Sequence, residues 1–343
     1  MAPKSSSRPR VLSGIQPTSA SYHLGNYLGA LQQWARLQDE PYDVFYFLAD
    51  LHAITLNPPD PAVLTQRSRG AAAQLLAAGV DPERSAIFLQ SHVQGHTQLS
   101  WVLECLTGEG EARRMTQFKD KSGRGESVSV GLLTYPILQA ADILIYQANF
   151  VPVGEDQRQH VELTRNLAQR FNGRYGETFV VPDALIPKAT ARVLDLQDPT
   201  SKMSKSLPDA GTLNLTDPPA VLTKKIKRAT TDSETEIRYD PAAKPGVSNL
   251  VAILAAVTDQ PVEQVAAGFA GQGYGALKGA VADAVVAFAE PFARSLAGYL
   301  DDPAELDRIL ARGAERARPI AAETVRDVYE RVGFVAPVAL GHE

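Results

Sequence analysis

Short, continuously apolar runs alternate with helical segments along the first half of this chain, and that alternation restricts the fold more than any other feature. Arg10 to Gly14 (RVLSG) is apolar and ends in glycine, as a first strand would. Asp43 to Ala49 (DVFYFLA) is apolar almost throughout, the pattern of a parallel strand covered on both faces. Ser85 to Gln90 (SAIFLQ) and Asn149 to Val153 read the same way. Between these runs, Tyr27, Leu28, Leu31, Trp34 and Ala35 recur at helical spacing, and Pro61 to Gly79 carries proline near its start and glycine at its end. Strands alternating with helices predict an α/β fold, a Rossmann-like doubly wound parallel sheet. Beyond residue 207 the pattern changes, and the chain to Val332 is helix-rich.

A length of 343 residues leaves room for two or three domains. Hydrophobic content of 44% and charged content of 21% are ordinary for a globular protein. No apolar run approaches the length of a membrane span, and the polar, basic, Ser-rich start from Met1 to Pro9 reads as a short disordered segment. Cys105 is the only cysteine. Disulfides within the chain and cysteine-held iron–sulfur or zinc centres are therefore excluded, and a cytoplasmic location is favoured. With a net charge of −5, any contact with nucleic acid must rest on local basic patches.

Several stretches carry chemistry. The strand–loop–helix at the start is where such a sheet binds a nucleotide, yet it has no GxGxxG. His23-Leu24-Gly25-Asn26 stands there instead: glycine lets a ligand approach the backbone, and His23 and Asn26 can donate to phosphate oxygens. Alone, such a histidine beside a glycine is usually a structural turn. Ser201 to Ser206 (SKMSKS) sets two lysines and three hydroxyls in a loop flanked by Asp198-Pro199 and Pro208-Asp209. Two ammonium groups on long stems suit an anion clamp, although two lysines alone are more often a solvated loop. From Ser127 to Gly154 Asp142 is the single charge. A carboxylate in such surroundings needs a donor, either a structural partner or a ligand N–H. Gly154, Glu155 and Asp156 at a strand's carboxyl end suit ribose hydroxyls and an ammonium group, or simply satisfy a helix N-terminus. His92 and His96 have metal-like spacing but lack the Glu or Cys partners of a metal site. Glu109 to Ser122 is a charged, helix-forming stretch. Lys224, Lys225, Lys227 and Arg228 form a basic cluster, and Arg308, Arg312 and Arg316 fall on one helix face. Such faces are usually solvated, but contact with an RNA backbone is the other reading.

Taken in order, these segments form a pattern: SGIQP (13–17), HLGN (23–26), DLHA (50–53), MTQFK (115–119), GLLTYP (131–136), AADIL (140–144), VPVGEDQ (151–157), KMSKS (202–206) and TDS (231–233). From about Val11 to Phe334 the chain resembles the bacterial tryptophanyl-tRNA synthetases of class I. HLGN is similar to the His-x-Gly-His signature with Asn last, and KMSKS to the ATP-phosphate loop. The resemblance implies a class I catalytic domain over 10–200, the loop at 201–207 and a helical anticodon-recognition domain over 208–300. It also implies a C-terminal helix over 301–335 packing back on the catalytic part, with a tail over 336–343. It implies activation of L-tryptophan with ATP and Mg2+, transfer to tRNA(Trp), and a homodimer. Gln16, Pro17, Thr18, Gly25 and Asn26 would line adenosine and phosphates. Gly154, Glu155 and Asp156 would face ribose and adenylate, Val193 the adenine, and Lys202, Met203, Ser204, Lys205 and Ser206 the pyrophosphate. Met115 to Lys119, with Lys121, would border the active site and contribute charge to ATP, and His23 would act with them. Asp142 would read the indole N–H, with Gln139, His52, Tyr135, Val153 and Gln157 around the amino acid. Position 139 is Gln where many relatives carry an apolar residue. Rival readings are a tyrosyl-tRNA synthetase, which would place polar groups for a phenol, and a small nucleotidylyltransferase, which has little use for a late helical domain. A non-catalytic RNA-binding paralogue would have lost the lysine loop.

Overall fold

The computed structural model describes residues 8–17, 22–115, 129–154, 157–185, 193–204 and 208–337. Among them five strands form one parallel sheet: β1 (Arg10–Ile15), β2 (Asp43–Leu48), β3 (Ala86–Leu89), β4 (Phe150–Pro152) and β5 (Asp183–Leu185), in the order β3-β2-β1-β4-β5. The doubly wound parallel sheet expected from the sequence is present. Leu12, Phe45, Tyr46 and Phe88 are buried, as strands covered on both faces require. Chain order reverses on either side of β1, so the crevice at the carboxyl ends of β1 and β4 is a topological switch point, where open α/β sheets bind ligands.

The helices follow the punctuation of the sequence. Leu24 to Leu37 is one helical run: α1 (Leu24–Asn26), a π-helical stretch (Tyr27–Leu31) and α2 (Gln32–Leu37). Such π-helical insertions are frequent at functional sites. In α3 (Pro61–Ala77) the Asp60 side chain caps Ala62 N–H and proline occupies the first turn. The following helices are α4 (Gly95–Glu104), α5 (Glu109–Arg113), α6 (Val130–Leu144) and α7 (Arg158–Tyr175). The charged stretch expected to be helical over Glu109 to Ser122 is helical through Arg113, and its second part lies outside the described residues.

Beyond the lysine loop come α8 (Pro219–Lys227), α9 (Pro245–Thr258), α10 (Val262–Gly268), α11 (Tyr274–Asp301) and α12 (Pro303–Val332). They pack against the first helical run. Leu222, Ile226, Leu250, Val281 and Phe292 share one apolar cluster with Leu24, Leu28 and Leu31 of the first helical run. Tyr27 meets Phe288 and Phe292 edge-on at 5.0 and 5.8 Å. Helix α12 then crosses β3 so closely that a Cβ at Gly313 would stand 1.9 Å from the Ile87 carbonyl oxygen. Only glycine permits that approach. No single helix among the described residues is long and apolar enough to cross a membrane.

Candidate active site

The strand registers align Ile15, Leu48 and Leu89 at one edge of the sheet. Gln16 and Pro17, the turn His52–Ile54, Gln90, and Val153 with Gly154 therefore emerge on the same side. Gln16 and Gly154 are exposed, Val153 and Gln157 half-buried, and Pro17 buried. Thr18, Lys121, Glu155, Asp156, Lys205 and Ser206 lie outside the described residues.

The two signatures, some 180 residues apart in sequence, meet in space. His23 caps the first helical turn: its Nδ1 accepts from Asn26 N–H at 3.2 Å, and Asn26 Oδ1 accepts from His23 N–H at 3.4 Å. With Nδ1 accepting, the neutral ring carries its proton on Nε2, the form that donates to an anion. Val193 closes on this turn, since a Cβ at Gly25 would lie 3.6 Å from the Val193 Cβ. Leu194 forms an antiparallel bridge with Lys202, and Met203 N–H donates to the Val193 carbonyl at 3.2 Å. Met203 is buried while Lys202 is exposed. The loop is thus rooted by its methionine and presents lysine outward. A second strap, Thr212 to Leu215, binds the first signature by backbone alone. Leu24 N–H donates to the Leu213 carbonyl at 2.8 Å, Leu215 N–H to that of Tyr22 at 3.2 Å, and His23 bridges Asn214.

Tyr135, Gln139 and Asp142 fall at i, i+4 and i+7, one face of α6. Asp142 is fully buried. His52 Nε2 lies 2.8 Å from Oδ2, and on Oδ1 Gln90 Nε2 donates at 2.7 Å beside His96 Nδ1 at 2.6 Å. His96 Nε2 continues to the Tyr146 hydroxyl at 2.8 Å. Burial alone would raise the Asp142 pKa, but the charges and hydrogen bonds of His52 and His96 more than offset it and hold the carboxyl at about 2. Three donors occupy roughly four acceptor positions of a carboxylate, which leaves room on Oδ2 for one more. Structural partners thus satisfy most of this carboxylate. Gln90, His96 and Tyr146 were not among the sequence candidates for this site. The spacing of His96 from His92 suggested a metal at most, and the ring instead orients a carboxylate. Tyr135 is buried, its hydroxyl 3.0 Å from His160 Nε2, and burial pushes its pKa up to about 12. Gln139 is half-buried on the same face.

The basic residues divide. Lys224, Lys227 and Arg228 are exposed on α8. Lys225, expected among them to face RNA, is instead 7% exposed, with Nζ 2.8 Å from both Asp209 and Asp217 and donating to the Thr212 carbonyl at 2.9 Å. The reason is its register: Leu222, Lys225 and Ile226 form the buried face of the helix. Burial works against its charge, and the bonds to Asp209 and Asp217 outweigh this, so its pKa is raised. On α12, Arg308 pairs with Glu305 at 2.7 Å, Arg312 with Glu305 at 3.4 Å, and Arg316 stands 4.0 Å from Asp43. The three arginines are largely exposed, and such pairs contribute little to stability.

The description tRNA synthetases class I (W and Y) matches residues 4–290. The chain is 59% identical over 333 residues to tryptophan–tRNA ligase 2 of Streptomyces avermitilis, covering 96% of this chain and 98% of that one. Among solved structures, tryptophanyl-tRNA synthetase of Mycoplasma pneumoniae superposes with a TM-score of 0.84 at 38% identity, covering 96% of this chain and 98% of that one. The Campylobacter jejuni tryptophanyl-tRNA synthetase, solved with ADP and tryptophan, gives 0.83 at 36% identity over 95% of this chain and 100% of its own. A parallel sheet with a switch point, two signatures brought together by Val193 and near full-length likeness agree: the chain belongs to the class I tRNA synthetases, within the bacterial tryptophanyl branch.

Proposed function

We propose that this chain activates L-tryptophan with ATP and transfers it to the terminal adenosine of tRNA(Trp). The observation that carries the reading is the junction of HLGN with the lysine loop through Val193, in a chain that also buries a carboxylate among His52, Gln90 and His96. A carboxylate oxygen of tryptophan attacks the α-phosphorus of Mg-ATP, forming tryptophanyl-adenylate as pyrophosphate leaves. A ribose hydroxyl of the tRNA end then attacks the acyl carbon, and AMP leaves. The attacking carboxylate is already ionised, so the first step needs no protein base. Catalysis is positioning and stabilisation of phosphate charge.

In this reading Gln16, Pro17, Thr18, Gly25 and Asn26 receive adenosine and phosphates, and Gly154, Glu155 and Asp156 the ribose side. His23 donates through Nε2, and Lys202, Lys205 and Lys121 neutralise the leaving pyrophosphate. Asp142 takes the indole N–H, with His52, Tyr135, Gln139, Val153 and Gln157 completing the amino-acid pocket. Magnesium arrives with the nucleotide as part of the substrate. Residues 10–200 would form the catalytic domain, 208–300 the anticodon-reading domain, and 301–335 the returning helix. A homodimer through the catalytic halves fits the exposed Trp101, Val130 and Ile54, which are 64%, 76% and 47% exposed. The lone cysteine and the reaction together support a cytoplasmic setting.

Amino-acid-dependent ATP–pyrophosphate exchange, run with each of the twenty amino acids, tests the reading. Exchange should depend on tryptophan. Tyrosine-dependent exchange, or none with any amino acid, overturns it in favour of the tyrosyl or the non-catalytic alternative. For the tRNA face, charge removal at Lys224, Lys227 and Arg228, or at Arg308, Arg312 and Arg316, should raise KM for tRNA and flatten its salt dependence while adenylate synthesis stays unchanged. Unchanged tRNA kinetics would make these helices ordinary solvated faces.

A further inference from the structure

We infer that Lys225 is a positioning residue for adenylate formation, fastening the strap from Asp209 to Asp217, which touches both nucleotide signatures. This rests on the reading of Lys202 to Ser206 as the phosphate loop.

The geometry is specific. An ammonium has three donor positions, and on Lys225 all three are used: Asp209, Asp217 and the Thr212 carbonyl, at 2.8, 2.8 and 2.9 Å. Its acceptors lie on a single stretch, Asp209 to Asp217, immediately beyond the lysine loop. That stretch reaches back to the loop, where the Thr212 hydroxyl donates to the Ser204 carbonyl at 3.2 Å. It also reaches the first signature through Leu213, Asn214 and Leu215, as described above. Asn214 Nδ2 in turn donates to Asp209 at 2.9 Å, closing the strap on itself. At its start the strap lies against the turn before the loop. Leu196 N–H donates to the Gly211 carbonyl at 2.9 Å, and a Cβ at Gly211 would overlap the Asp195 carboxylate at 2.0 Å.

One buried cation on α8 therefore sets where the base of the lysine loop stands relative to His23. Of its two carboxylates Asp217 matters more, because its side chain is 18% exposed against 73% for Asp209 and is less screened by water. Lys225 does not face a phosphate. Its effect is on orientation, and misplacement of reacting groups by about an ångström can cost on the order of a hundredfold in rate.

The experiment compares Lys225→Met, Lys225→Arg and Asp217→Asn with wild type and with Lys205→Ala. The readouts are single-turnover adenylate formation, KM for tryptophan, KM for tRNA in the transfer step, and thermal stability. Lys225→Met should slow adenylate formation by about tenfold or more, leaving KM for tryptophan within about twofold. Asp217→Asn should follow it, and Lys225→Arg should recover most of the rate. Unchanged adenylate formation in Lys225→Met overturns the proposal. A raised KM for tRNA as the sole change overturns it too and makes Lys225 an RNA contact. A loss that tracks unfolding and is not recovered by arginine assigns it to stability alone. Should Lys205→Ala also leave activation unchanged, the phosphate-loop reading fails, a result distinguishable from failure of the Lys225 inference.

Discussion

Lys205→Ala is expected to cut kcat for adenylate formation by about a hundredfold or more while tryptophan affinity stays near normal. Pyrophosphate gains charge as the bond to the α-phosphorus breaks, so a cation on the leaving group acts mainly in the transition state. Removing such a contact lowers kcat rather than raising KM. Lys205 lies outside the described residues, but the frame around it is clear. On one side Met203 is buried and bonded to Val193, and on the other Thr212 ties the strap to Ser204. The long, flexible stem of a lysine suits a phosphate whose charge moves during the reaction. Lys202→Ala should cost less, since Lys202 is exposed before the root of the loop. Pre-steady-state adenylate formation measures both, and an unchanged rate in Lys205→Ala would remove the loop from catalysis.

Asp142→Ala should lower kcat/KM for tryptophan by about 2–4 kcal/mol equivalent, with little change in KM for ATP and narrower discrimination against phenylalanine. Phenylalanine fills much of an apolar slot but offers no N–H, and a site built around a buried polar group rejects analogues lacking its partner. The structure adds a consequence. His52, Gln90 and His96 all donate to this carboxylate, so alanine leaves buried donors unpaired and should also lower thermal stability. Asp142→Asn preserves volume and separates the two effects: specificity should fall with the charge even where folding is retained. Since its pKa is held at about 2, below the ordinary 3.8, Asp142 is ionised throughout the range in which the enzyme is assayed. Its stabilising contribution is fully present above the ordinary value and is lost as pH falls through about 2. Tryptophan kcat/KM should therefore show no acid limb from this group above about pH 4. An Asp142→Asn variant that activates tryptophan as wild type does, and still excludes phenylalanine, would confine the residue to a structural role.

The positions of β1 to β4, the parallel sheet and the location of the signatures were legible in the chain, because each depends on local pattern, whereas the short edge strand β5 carried no such pattern. Asp142 stood out for the same reason, as one charge within twenty-eight residues. That His52, Gln90 and His96 would bond to it did not. His96, Gln90 and His52 lie 46, 52 and 90 residues away, and only the return of β2 and β3 to the same edge of the sheet brings them to α6. Lys225 is the sharper case. Composition placed it in a basic cluster, whereas helical register turned it inward beside Leu222 and Ile226. By itself the sequence determined the fold class, the two signatures and the isolation of one carboxylate, since strand period, loop chemistry and charge spacing are short-range properties. The tertiary structure alone decided which groups satisfy that carboxylate, which lysine is buried, and how one strap joins both signatures. Burial and hydrogen bonding between distant segments depend on packing, and no local pattern encodes their geometry.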